Sequence, residues 1–160
     1  MLTSTLYQTC LVLHITGITA MAGATVVDSI VFRQFWKQYA SDKRKAAGTI
    51  ETAAKFARLI PLGFLLLLLS GVGIMALTKG LYGEQVWFRI KMALVLLTVI
   101  NGIAVGQRNG RKLQRTVAAE AAGANEDARI LNLKAKLGWF HAIQLLLFLL
   151  IFVLGVFKFN

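Results

Sequence analysis

Four stretches of the chain are nearly unbroken runs of apolar residues. They run roughly from Leu6 to Val27, Leu59 to Leu77, Val86 to Val105 and Leu137 to Val156. A run of about 20 such residues crosses a hydrocarbon core of about 30 Å as an α-helix. Irregular backbone cannot face lipid, because its N–H and C=O groups would go unpaired there. The pattern therefore predicts four membrane-spanning helices. The polar connections also carry helical signals. "SDKRKAAGTIETAAKFARLIP" has Ile50, Ala54 and Ala57 at helical spacing, which predicts a helix at the membrane surface. Pro61 falls where the second span begins, in its first turn or at a kink. "GLYGEQ" reads as a tight turn. In "RKLQRTVAAEAAGANEDARILNLKAK", Gly123 can stop one helix and Asn125 can cap the next, with Glu126 and Asp127 in its first turn. That last helix can run unbroken into the fourth span. The expected fold is an all-α integral membrane four-helix bundle with helical extensions, forming one domain over residues 1–160.

Composition supports this pattern. The chain is 57% hydrophobic with a mean hydropathy of +0.65, above the roughly 45–50% apolar content of soluble domains. The net charge of +11 resembles a nucleic-acid signal until it is mapped. Arg33, Lys37, Lys43, Arg44, Lys45, Lys55 and Arg58 lie between the first two spans, and Arg108, Arg111, Lys112, Arg115, Arg129, Lys134 and Lys136 between the last two. The opposite side carries only Lys79, Arg89, Lys91 and Lys158. Basic loops stay in the cytoplasm, which predicts both long loops inside and both termini outside; a bacterial cytoplasmic membrane is the expected location. The basic faces meet anionic headgroups; nucleic acid is not an expected partner. No Lys or Arg precedes Arg33, and the apolar pattern continues through "AMAGA", so the first run reads as a retained span and not as a cleaved signal. Cys10 is the single cysteine and reads as a small apolar filler.

Polar residues at membrane depth are costly and usually functional. His14 lies about eight residues into the first span, roughly 12 Å deep. The third span starts from the same side with Arg89 and Lys91 about 5–8 Å deep. These two cannot share one helix face, so one can point into the bundle and the other to headgroups. Trp87 suits an interfacial aromatic belt. Near the other surface, Asp28, Arg58, Asn101 and His141 can form one polar cluster. A neutral imidazole ligates haem iron or another transition metal. A zinc site wants three or four ligands, which one Cys and two separated His do not supply. The depths of His14 and His141 differ by about 10 Å, so Lys91 is the better depth match for His14. A Lys amine ligates iron only after losing its proton. No nucleophile–base triad or phosphate loop occurs. The small-residue stretches "GITAMAGA" and "SGVGIMA" permit close helix approach and would equally admit a flat cofactor or a second copy of the chain.

The order of these features resembles the small haem-binding membrane proteins of the HemJ protoporphyrinogen oxidase type and, more loosely, the copper-resistance D domain. The first span, "LHITGITAMAGATVVDSIVFRQFW", carries His14, Ala22-Gly23 and Arg33 among Phe32, Phe35 and Trp36. The third, "VWFRIKMALVLLTVINGIAVGQRNGRKL", carries Trp87, Lys91 and Gly106, and the chain closes on "FLLIFVLGVFKF". Two positions depart from the family pattern: Asn101 stands where it has a histidine, and Met21 where it has an aromatic. The resemblance implies a haem b site with His14 as an axial iron ligand and Lys91 near or on the iron, together with oxidation of protoporphyrinogen IX.

Two readings of these residues stand at this point. In the first, the protein is a membrane oxidoreductase passing electrons from a hydrophobic substrate to a quinone or other acceptor. His14 holds the metal, Lys91 is the second ligand or a proton carrier on the substrate side, Arg89 and Trp87 complete the cofactor site, and His141 is a second-site ligand or a proton relay. Arg suits a haem propionate because of its bidentate fork. In the second, the protein is a cofactor-free transporter or accessory subunit, and both histidines relay protons or pack through interhelical hydrogen bonds.

Overall fold

A computed structural model describes residues 2–56 and 58–157, with the side chains of Leu2, Ala54 and Ala121 left aside. Ala57 and Lys158, which figure in the sequence pattern, lie outside the described residues. The described chain is helical throughout, with no strand. Its elements are α1 (Leu2–Tyr39), α2 (Lys43–Phe56), α3 (Leu59–Leu77), α4 (Val86–Asn101), a π-helical turn (Gly102–Gln107), α5 (Arg108–Ala121) and α6 (Asp127–Val156). Four helical stretches, Thr3–Tyr39, Leu59–Leu77, Val86–Glu120 and Asp127–Val156, are long and apolar enough to cross a membrane. Large apolar side chains such as Val12, Leu69, Leu96 and Leu149 face outward, each more than half exposed. That is the reverse of a soluble fold and suits a lipid solvent.

Three predicted spans are longer than the apolar pattern indicates. At about 1.5 Å per residue, the 38 residues of α1 reach well beyond a bilayer core. Asp28 ends the apolar run, yet nothing there breaks the helix. Phe32, Phe35, Trp36 and Tyr39 carry it on at i, i+3, i+4 and i+7 spacing. The third span likewise continues through the π turn into α5, and α6 begins ten residues before the predicted fourth span. Asp42 accepts hydrogen bonds from the Arg44 and Lys45 amides (2.9 and 3.1 Å) and so starts α2. Pro61 sits in the first turn of α3, where its missing N–H has no intrahelical partner to lose. The chain leaves α3 through positive φ at Lys79 and Gly80. Gly123, at φ +99°, ends α5.

The predicted Asn125 cap is not used. Glu126 precedes the first turn of α6 and makes no side-chain cap. Its carboxylate pairs with Arg129 at 3.6 Å, and Asp127 turns to Tyr39 and Lys43.

Packing divides the molecule in two. Along the spans, α1 packs on α3 and α4 on α6; α1 also touches α6, whereas no backbone of α3 comes within 8 Å of α4 or α6 among the described residues. The α1–α3 seam is closed by glycine. A Cβ added at Gly17 would lie 2.9 Å from the Gly63 carbonyl oxygen, and one at Gly63 would lie 2.9 Å from that of Gly17. The Cys10 sulfur fills the space over Gly73, in keeping with its reading as a filler. At the end bearing the basic loops, here called the basic end, a true core forms. Phe35, Ala46, Leu113, Val117, Ile130, Leu133, Leu137 and Phe140 are all buried together. Tyr39 and Lys43 clasp this core shut. The Tyr39 hydroxyl lies 2.5 Å from Glu120 Oε2 and 2.8 Å from Asp127 Oδ1. The Lys43 ammonium bonds Glu120 and lies 3.3 Å from Asp127. The Glu120 hydrogen bond holds the Lys43 ammonium above its usual range.

Candidate functional site

The polar residues of the spans sort into two places. The first is His14, half-buried on the α1–α3 seam. Its Nδ1 lies 3.0 Å from Ser70 Oγ. Ser70 is buried and directs its own hydroxyl to the Leu66 carbonyl at 2.5 Å. A serine has one proton to give, so Oγ accepts from His14 Nδ1–H. That tautomer leaves the ring's lone pair on Nε2. Gly71 makes room for the ring: a Cβ there would sit 3.5 Å from His14 Cε1. Lys91 on α4 is near enough for its charge to act on this imidazole. Its amine lies close to α6, 3.9 Å from where a Gly155 Cβ would be, and so points inward. Arg89 is exposed, with Nε donating to the Gly83 carbonyl at 3.2 Å. The inward and outward division expected of Arg89 and Lys91 therefore holds.

Trp87 differs from expectation. It is 5% exposed, its indole N–H donates to Gln85 Oε1, and its ring packs edge-on to Tyr82 and Phe88. The turn before α4 folds back over it, which removes it from an interfacial belt. Gly17 and Gly63 of the α1–α3 seam are each filled by the other's helix. Gly23 meets nothing within 4 Å.

The second place is at the basic end of the spans. His141 is 5% exposed. Its Nδ1 donates to the Leu137 carbonyl (2.8 Å), one turn back in α6, and its Nε2 lies 2.9 Å from Asp28 Oδ2 on α1. The carbonyl only accepts, so Nδ1 carries a proton, and the Nε2–Oδ2 bond needs one more. Histidine and aspartate together are thus neutral, whichever of them holds that second proton. Phe32 and Phe140 flank the ring at 4.9 and 5.0 Å between centroids. Asn101 does not join this pair. Its Nδ2 donates to Gln144 Oε1 at 2.7 Å, and Gln144 Nε2 reaches the Thr98 carbonyl at 3.3 Å. Gln144 is a member of the site that an inventory of ionisable residues passes over. Its position three residues after His141 on one helix face is the signal that marks it.

Around this pair lies a cavity of about 650 Å³, lined from every helix. Asp28, His141, Gln144 and Arg58 are in its wall, with Arg111 of α5. The π turn forms one side through Gly102, Ile103 and Gly106. Gly106 is required there: a Cβ would come within 2.5 Å of the Phe140 ring. Extra-residue turns of this kind often mark functional positions in helices.

Of the residues expected to act together, Asp28 bonds His141, with Arg58 in the wall of the same cavity. The two histidines occupy separate places. Among the described residues no three His, Cys, Asp or Glu side chains converge to hold a metal ion. A haem, by contrast, needs a protein nitrogen on only one or two axial positions.

A helical bundle with four apolar spans, an outward apolar surface and a buried polar pair defines an integral, multi-pass membrane protein. The chain belongs to the family described as predicted integral membrane protein (DUF2269), whose model matches residues 8–159. That description carries membrane integration and no cofactor or activity. Comparison with curated proteins and with solved structures gave no match.

Proposed function

We propose that this protein is a haem b-binding redox protein of the membrane, with His14 Nε2 as the iron ligand and Lys91 beside it. The observation that carries this reading is the anchored imidazole. Nδ1–H is spent on Ser70, Ser70 is spent on Leu66, and Nε2 is left as a lone-pair donor. Metal-binding histidines almost always have their other nitrogen fixed in this way. The donor chemistry therefore fits the group. His141 does not fit as a ligand, because both its nitrogens are engaged. Arg89 has Nε tied to Gly83, which leaves pairing with propionates to its terminal nitrogens. A bound haem supplies one-electron chemistry. The chain's own part is to hold the ring at fixed depth, exclude water with the α1–α3 seam, and keep a proton on the Asp28–His141 pair. The HemJ-type resemblance supports electron flow from a hydrophobic substrate to a quinone or other acceptor. The loop charges support an orientation with both termini on the outer side, and the membrane proposed is the bacterial cytoplasmic one.

One observation favours a second reading, a cofactor-free transporter or accessory subunit: each histidine already has a protein partner. Titration of the detergent-solubilised protein with haem separates the two. The haem reading expects saturable binding with a Soret band and a red protein. A protein that stays colourless after haem is supplied refutes it and leaves the second reading.

A further inference from the structure

We infer that the cavity at the basic end is a binding site for an anionic amphiphile, a molecule with a long apolar body and an acidic head. The inference stands independently of any haem at His14, which does not line this cavity. A volume of about 650 Å³ falls within the roughly 300–1,000 Å³ of small-molecule sites. Its charge is specific. Asp28, His141, Arg58 and Arg111 are the only ionisable residues in the wall among the described residues, and the first two cancel by sharing their protons. Arg58 and Arg111 are left as the net charge, and neither forms a salt bridge among the described residues. Guanidinium forks match carboxylate and phosphate oxygens in pairs.

The distribution along the membrane normal gives the orientation. Arg58 immediately precedes α3, and Arg111 lies past the π turn on α5, so both stand at the level where headgroups meet water. Met21, Phe64 and Val99 line the wall further into the spans, where an acyl or polyisoprenoid body would lie. A free long-chain carboxylate and a phosphate-headed lysolipid share this chemistry.

The test uses the full chain in nanodiscs of zwitterionic lipid and a fluorescent long-chain polyene carboxylate as probe. Saturable binding of one probe per chain is expected. The alcohol of equal chain length should compete at least about tenfold more weakly, the effect of losing one charge-assisted contact. Arg58→Gln/Arg111→Gln should weaken probe binding by at least about the same factor. Gly110→Leu provides a variant that does not depend on charge. Gly110 lines the cavity, and a Cβ there meets nothing within 4 Å, so a leucine is admitted without a clash at Cβ and takes up space at the cavity wall; it should weaken binding. Unlabelled carboxylate and lysophosphatidate identify the source: whichever displaces the probe at the lower concentration carries the native head. Equal binding of the alcohol, wild-type affinity in either variant, or no displacement by either anion overturns the inference.

Discussion

The α1–α3 seam and the basic end of the molecule place a histidine in different surroundings, half-buried at the first and buried at the second. At the α1–α3 seam, His14 is held through Nδ1 by Ser70, with the Leu67 carbonyl also acting on the ring. At the basic end, His141 spends both nitrogens, one on its own helix and one on Asp28 of α1. The seam is glycine against glycine, with backbone as the packing surface and lipid outside. The basic end is an aromatic core clasped by Tyr39, Lys43, Glu120 and Asp127. In a bilayer, helices gain little from apolar contact alone, and they associate through close backbone packing and polar bonds. The seam uses both, glycine packing and the His14–Ser70 bond, whereas the basic end adds an apolar core where the helices run past the apolar spans.

The contrast can be broken from either side. The largest effect is expected at the seam. Gly63→Leu drives a Cβ to within 2.9 Å of the Gly17 carbonyl oxygen. It should cost about 3 kcal/mol or more, as overpacking of a closed interface does, read as a lowered unfolding midpoint in detergent. At the basic end, Asp28→Ala leaves His141 Nε2 without its partner. Because 26% of the Asp28 side chain is exposed, the loss should be about 2 kcal/mol, below the ~3–5 kcal/mol of a fully buried pair. Asp28→Asn, which can still hydrogen-bond the imidazole, should recover most of it. A third change sharpens the comparison. Ser70→Ala frees His14 Nδ1 and should weaken haem binding by roughly 10–100-fold, while leaving the helix content of the protein unchanged by circular dichroism. Gln144→Leu should cost about 0.6 kcal/mol, typical of an interhelical hydrogen bond in a membrane.

The smallest effect belongs to the clasp. Glu120 raises the Lys43 pKa above its unfolded value of 10.5. From neutral pH up to that value the pair therefore contributes fully, and the contribution disappears as pH rises through the higher folded value. The midpoint difference between wild type and Lys43→Met should be flat through neutral pH and vanish only in the alkaline range. A difference that changes near pH 7 would contradict this linkage.

The sequence carried the spans because lipid imposes an apolar length that no other environment requires. It understated their ends because a helix does not stop where hydrophobicity does. Phe32, Phe35, Trp36 and Tyr39 continue α1 into water by burying an aromatic edge against α5 and α6, a partner that local pattern cannot reveal. Asp28 and His141 were legible as neighbours because depth alone puts them at one level. Ser70 was not, since a serine inside "LLLLLSGVG" reads as a small packing residue until its partner across the seam is known. Trp87 misled for a related reason: a tryptophan at a span's start suits the interface, but the turn at Gly80–Gln85 covers it. The cavity and its π turn depend on how six helices are arranged, and no spacing along the chain encodes that.

The comparison rests on one claim, that His14 keeps a ligand nitrogen and His141 does not. Haem titration of His14→Ala and His141→Ala in detergent, each confirmed helical by circular dichroism, tests it directly. The account predicts that His14→Ala loses the Soret band of bound haem while His141→Ala retains it. Wild-type haem binding in His14→Ala, or its loss in His141→Ala alone, would contradict the account.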